Sequence, residues 1–277
     1  MRNPIVFAGA GSHAPGITAW AEAAPVEQKQ RLYRAYDDVQ AALAGSRPDV
    51  LILLTSEHWS NFFLDHIGAF CVGRAGHFDG PVEPWLKVPK SRVPGHPAFA
   101  AELIDALYAS DFEPSFSHSM ELDHGSMVPL HFLTPSMTTP VVPIMFNTLA
   151  SPQPSARRCL AFGHAIGRFA ERSQLRVALV ATGGLSHDPG EKNHGVINPE
   201  FDRRFLGEMA AGQTDRLAAY STADLMSQGA GTMELLSWVA LAGAMQGHKG
   251  EIVAYEAVKP WGTGIGLIRY PVSTAAA

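Results

Sequence analysis

The sequence predicts a single-domain α/β protein over residues 1–277, with a central mostly parallel or mixed sheet flanked by helices. Three observations carry this. Short apolar runs at 5–10, 50–55 and 177–182 have strand length and are rich in Val, Ile, Leu and Ala. Segments with apolar residues at helical spacing lie between them, and alternating strand and helix is the pattern of an α/β sheet. No charge-rich or low-complexity linker divides the chain.

In chain order, 5–10 is the first strand and 12–16 a loop punctuated by Pro15 and Gly16. Pro25 suits a first helical turn, and Leu32, Tyr36, Val39 and Leu43 make the apolar stripe of a helix over 25–44. The 50–55 strand follows, and such a strand–helix–strand unit favours a parallel pair with a right-handed crossover. Phe62, Phe63 and Leu64 are expected to wall a pocket. A strand is expected at 67–72. The Gly- and Pro-rich stretch 73–97, which contains Trp85, reads as a long ordered loop, either a lid or a plain connector. Further on come a helix at 97–108, a strand at 112–116, a short helix at 127–133 and a strand at 141–146 that Pro143 places near an edge or bulge. A helix at 154–171, the 177–182 strand, helices at 200–209, 223–228 and 231–246, and strands at 252–258 and 265–270 complete the pattern.

Composition narrows the function. Hydrophobic residues at 46% against 17% charged suit a well-buried enzyme rather than a disordered chain. A net charge of −5 with no long basic run argues against a nucleic-acid partner. Two cysteines, Cys71 and Cys159, supply no disulfide framework and fit a reducing, cytoplasmic setting. No stretch reads as a membrane span or a signal core. His-Glu-x-x-His, Gly-x-Ser-x-Gly and P-loop patterns are all missing from the sequence.

Each of the three apolar runs delivers a histidine just past its end: His13, His58 and His187. Ligands of α/β sheets bind beyond the carboxyl ends of the parallel strands, so the three can converge on one metal-centred site. Glu234 lies in a helix that is apolar on nearly every face, and a carboxylate there needs a partner. It reads equally as a helix N-terminal cap and as a metal ligand. Two imidazoles and one carboxylate suit non-haem Fe(II), although the same set serves hydrolytic zinc.

Together, Ser12-His13-Ala14-Pro15, Glu57-His58, Leu122-Asp123-His124-Gly125 with Val128-Pro129-Leu130, Thr182-Gly183-Gly184-Leu185-Ser186-His187 and Met233-Glu234-Leu235-Leu236-Ser237-Trp238 resemble the class III extradiol ring-cleaving dioxygenases, the family of the catalytic subunit of protocatechuate 4,5-dioxygenase. The resemblance spans most of the chain. It implies that His13, His58 and Glu234 hold Fe(II), that His187 is the catalytic acid/base, and that His124 lines the site and takes part in acid/base steps; the adjacent Asp123 is a candidate orienting partner for His124. It also implies O₂ as co-substrate, a catechol or aminophenol as substrate, a homo-oligomer and, for some members, a small helical partner subunit. Gly262 and Thr263 stand where protocatechuate-cleaving members have polar residues that meet the substrate carboxylate, which points to substituted catechols or aminophenols instead. A zinc-dependent hydrolase on the same ligands and a non-catalytic Memo-type binding protein are the alternatives. The remaining histidines are expected to be structural, with His194 as the exception nearest the site.

Overall fold

A computed structural model describes residues 4–190 and 192–272; the 1–277 domain expectation therefore extends over residues 1–3, 191 and 273–277, which lie outside the described residues. In order, the elements are β1 Ile5–Gly11, α1 Gly16–Ala19, α2 Val26–Ser46, β2 Val50–Ser56, β3 Phe70–Gly73, β4 His77–Gly80, β5 Ser91–Pro94, α3 Pro97–Tyr108, β6 Ser115–Ser117 and α4 His124–Leu133. They continue with β7 Val141–Phe146, α5 Ala156–Ala170, β8 Val177–Thr182, α6 Pro199–Ala210, α7 Thr214–Ala219, α8 Thr222–Met226, α9 Leu235–Ala244, β9 Glu251–Val258 and β10 Thr263–Tyr270.

Eight strands form one mixed sheet in the order β6-β3-β7-β2-β8-β1-β10-β9. Its central four strands, β7, β2, β8 and β1, are mutually parallel. Every residue of these four is buried, as expected where helices cover both faces. The stripe predicted for α2 (Leu32, Tyr36, Val39, Leu43) is buried on one face of the sheet together with α4. α3, α5, α6, α7 and α9 pack on the other. Gly11 pairs with Thr182 and Leu54 with Ala181, so β1, β2 and β8 end at one edge.

Helix α9 lies unusually close to α5. A Cβ at Gly163 would stand 1.8 Å from the Ala240 carbonyl oxygen, and one at Gly243 would stand 2.2 Å from that of Leu160. Glycine at these positions lets the two backbones meet, and this sets the depth at which α9 presents Glu234.

Four expectations are corrected. The 231–246 helix is a 3₁₀ turn over Ala230–Glu234 leading into α9, so Glu234 sits at the junction. The 73–97 stretch is not structureless: β4 and β5 pair in it as an antiparallel hairpin. Strand β7 is interior rather than at an edge, because the β3 ladder ends at Val72↔Ile144 and Pro143 falls one residue beyond it, where no ladder bond is lost. Phe62 and Phe63 do not wall the pocket. The Glu57 carboxylate accepts backbone N–H bonds from Trp59, Ser60 and Asn61, and the tight turn this makes leaves Phe63 and Leu64 exposed.

Candidate metal centre

Three imidazoles gather at the carboxyl edge of the parallel strands. One ligand atom each from His13, His58 and His124 lie within 4.8 Å of one another. His13 and His58 each stand two residues beyond the end of their strand, β1 and β2. His124 is the first residue of α4. Its ring lies over that of His58 with centroids 4.0 Å apart.

In each ring Nδ1 is already committed, which fixes where the other nitrogen's lone pair is offered. His13 Nδ1 is 3.0 Å from Thr182 Oγ1. Thr182 Oγ1 has one proton, and the Gly125 carbonyl at 2.9 Å can only accept it, so His13 Nδ1–H donates to the threonine. His58 Nδ1 is 3.0 Å from Asp123 Oδ2, and the same oxygen accepts the His58 backbone N–H at 2.9 Å. Glu83 Oε1 holds His124 in the same way, at 2.6 Å from Nδ1 and 3.0 Å from the backbone N–H.

Asp123 therefore orients His58 rather than His124, a further correction to the expectation from sequence. It precedes α4 in the cap position yet makes no cap bond. Glu83, the actual partner of His124, comes from the segment between β4 and β5. Nothing in Gly80-Pro81-Val82-Glu83-Pro84 marks it except that it is a lone acid in an apolar stretch.

Glu234 closes the group. Its Oε2 lies 3.0 Å from His13 Nε2 and its Oε1 lies 3.2 Å from His58 Nε2. The side chain caps no helix N–H; instead Oε2 accepts the Gly184 N–H at 2.5 Å. His187 Nε2 is 3.5 Å from Oε1, and its Nδ1–H donates to the Leu185 carbonyl at 2.8 Å. Glycines make room for this ring: a Cβ at Gly231 would stand 2.2 Å from His187 Nε2. Ser186, His187 and Asp188 form no triad, since Ser186 Oγ bonds Asp202 and Asp188 Oδ1 accepts the Ala230 N–H.

Electrostatics follow from this packing. Burial alone would raise the Glu234 carboxyl, but the facing His13 and His187 rings hold it well below the usual carboxylate range. Burial opposes charge on His58, yet Asp123 and Glu234 raise it well above the ordinary imidazole value. Asp123, also against its burial, is held down to about 2, chiefly by His58. Burial and the neighbouring His58 lower His124. On His187, burial is outweighed by Glu234, and the ring is raised.

The donor set fits a divalent cation. His13 Nε2 is buried and has no hydrogen bond, because its contact with Glu234 lies outside hydrogen-bonding geometry. A bare nitrogen beside an ionised carboxylate and a second imidazole is what a cation would satisfy.

These groups line a cavity of about 280 Å³, which also takes in Trp20, His194, Trp261 and Thr263. The expected loop around Trp261 and Gly262 does reach the pocket, and so does His194. The Trp85 ring lies near His124, tilted to it, with centroids 6.2 Å apart. A larger groove of about 450 Å³ on the outer side of α6–α8 is lined by Arg204, Glu208 and Tyr220 and contains no histidine.

The family profile described as the catalytic LigB subunit of aromatic ring-opening dioxygenase matches residues 8–266. The chain belongs to this family. Among curated relatives of this ring-opening dioxygenase chain are proteins named 2,3-dihydroxyphenylpropionate/2,3-dihydroxicinnamic acid 1,2-dioxygenase. That of Paraburkholderia phymatum is 30% identical over 88% of this chain and 89% of its own. That of Burkholderia vietnamiensis is 29% identical, with 93% and 94% covered. That of Paraburkholderia xenovorans is 27% identical, with 86% and 87% covered. An uncharacterized Escherichia coli K12 protein of known structure shares the fold, with a TM-score of 0.62, 17% identity, and 95% of this chain and 98% of the other covered. Among the described residues no helix is long and apolar enough to cross a membrane.

Proposed function

We propose that this ring-opening dioxygenase is an Fe(II)-dependent extradiol enzyme that opens a catechol-type ring beside its diol, with His13, His58 and Glu234 holding the metal. The observation that carries this reading is the approach of the Glu234 carboxylate to both His13 Nε2 and His58 Nε2, at 3.0 and 3.2 Å, while each ring's Nδ1 is tied elsewhere. A ferrous ion in that set supplies the Lewis acidity that lowers the cost of diol deprotonation and the electron-transfer chemistry through which O₂ attacks an aromatic ring.

The chain's own groups supply the rest. His187 offers Nε2 to the cavity because its Nδ1–H is spent on the Leu185 carbonyl. It takes a proton from a diol oxygen and returns it later in the cycle. His124, with Nδ1 held by Glu83, presents Nε2 as the second proton-handling group. Positioned acid/base groups of this kind typically contribute about 10²–10⁴ in rate. Trp20 and the buried Trp261 supply an aromatic lining against which the substrate ring packs.

His124 lies close enough to His13 and His58 to compete with Glu234 as third ligand. Iron content of two purified variants separates the assignments. Glu234→Ala is expected to lose iron, whereas His124→Ala keeps iron and loses turnover. The reverse pattern would make the centre a three-histidine one.

A further inference from the structure

Beyond the histidines and Glu234, the cavity is closed by Pro15, Trp20, Pro189, His194, Trp261 and Thr263, together with small residues. This end decides what a ring substituent meets, and apart from the Trp20 indole N–H, which has no hydrogen-bond partner among the described residues, its side-chain polar atoms are already engaged or neutral. Trp261 Nε1–H donates to the Trp20 carbonyl at 3.3 Å, so the Trp261 indole offers the cavity only carbon. Thr263 Oγ1–H donates to the Trp261 carbonyl at 3.1 Å, which leaves the hydroxyl no proton to give. His194 Nδ1 accepts the Gly190 N–H at 3.2 Å, so in the neutral ring Nε2 carries the one remaining N–H. The two indoles are held together across Gly16. A Cβ there would stand 2.5 Å from Trp261 Cδ1 and 2.8 Å from Trp20 Nε1.

Charge points the same way. Among the described residues that line the cavity there is no Lys or Arg. Lys192 and Lys259 neighbour lining residues in sequence, but both are exposed and neither lines the cavity. Four carboxylates surround the metal-facing end: Glu57 and Asp123 beside His58, Glu83 on His124, and Glu234 among the rings. A further carboxylate on the substrate would stand against apolar indole and proline, met only by the ring N–H groups of Trp20 and His194 and by no cationic Lys or Arg side chain.

We infer that the end walled by Trp20, Trp261, Thr263 and His194 is a substituent subsite that selects catechols bearing an uncharged, predominantly apolar group over catechols bearing a carboxylate. The inference deepens the ring-opening reading and rests on it for the placement of the diol. It separates this chain from the relatives named for the phenylpropionate acid.

The test uses Fe(II)-loaded protein under argon and a matched pair of diols, 3-propylcatechol and 3-(2-carboxyethyl)catechol, titrated calorimetrically. The propyl compound is expected to bind at least about tenfold tighter. In air, kcat/KM should follow the same order, with the difference in KM. His194→Lys, on an exposed loop where the longer side chain is tolerated, should narrow or invert the ratio. Equal or tighter binding of the carboxylate by the unaltered protein overturns the inference. The expected binding order without ring opening would instead strike the dioxygenase reading and leave the subsite standing. Ring opening with no preference between the pair would remove the subsite alone, and failure of both diols to bind would remove both.

Discussion

His13 and Thr182 are 169 positions apart in the chain and meet at 3.0 Å, joining the end of β1 to the end of the adjacent parallel β8. The contact decides which nitrogen of His13 faces the carboxylate. Thr182→Val keeps the shape but leaves the buried Nδ1–H without an acceptor, at a cost of about 1–3 kcal/mol. Loss of an orienting partner of this kind typically costs about 10–100-fold in metal affinity. Denaturant unfolding and a competitive Fe(II) titration measure the two effects. Unchanged metal affinity would show that Thr182 does not set the His13 tautomer.

Glu83→Gln probes the partner that sequence reading did not find. The amide can still accept from His124 Nδ1–H, but it cannot stabilise a charged ring. Turnover should fall about 10-fold or more with iron content and KM nearly unchanged. Glu83→Asp, which restores the charge on a shorter arm, should recover part of the rate. A rise in KM with kcat intact would instead make Glu83 a wall of the pocket.

The depressed Asp123 carboxyl gives a stability prediction for the metal-free protein. Its ordinary value is 3.8, and in the fold it is held at about 2. A carboxyl depressed in the fold stabilises it above the unfolded value and loses that contribution as pH falls toward the folded one. About 2 kcal/mol should therefore disappear between roughly pH 4 and pH 2. Urea unfolding across that window should show a shallower acid loss in Asp123→Asn than in the unaltered protein. Parallel curves would contradict the pairing with His58.

Much of this arrangement was legible from sequence because it is local. Runs such as 50–55 and 177–182 are buried on both faces, so their apolar character is unbroken and the histidines beyond them stand out. Helix α3 starts at Pro97 as expected, and the structure adds a cap there, the His96 ring accepting the Phe99 N–H. What escaped depends on where chain segments turn. Glu57 sends 59–64 outward by gathering three N–H groups, a contact no spacing rule encodes. Glu83 reaches His124 only because the β4–β5 hairpin folds the 73–97 stretch onto α4. Trp20 reaches the cavity only because Gly16 admits the two indoles side by side.

The measurement that bears most directly on the proposed chemistry is oxygen uptake by anaerobically prepared protein loaded with Fe(II) or Zn(II) and given unsubstituted catechol. Expected is one O₂ consumed per ring opened, with Fe(II) alone, and a product opened beside the diol rather than between its hydroxyl-bearing carbons. Iron-loaded protein that binds catechol without consuming O₂, or zinc-loaded protein that is the active form, would contradict the assignment of this centre as an Fe(II) extradiol site.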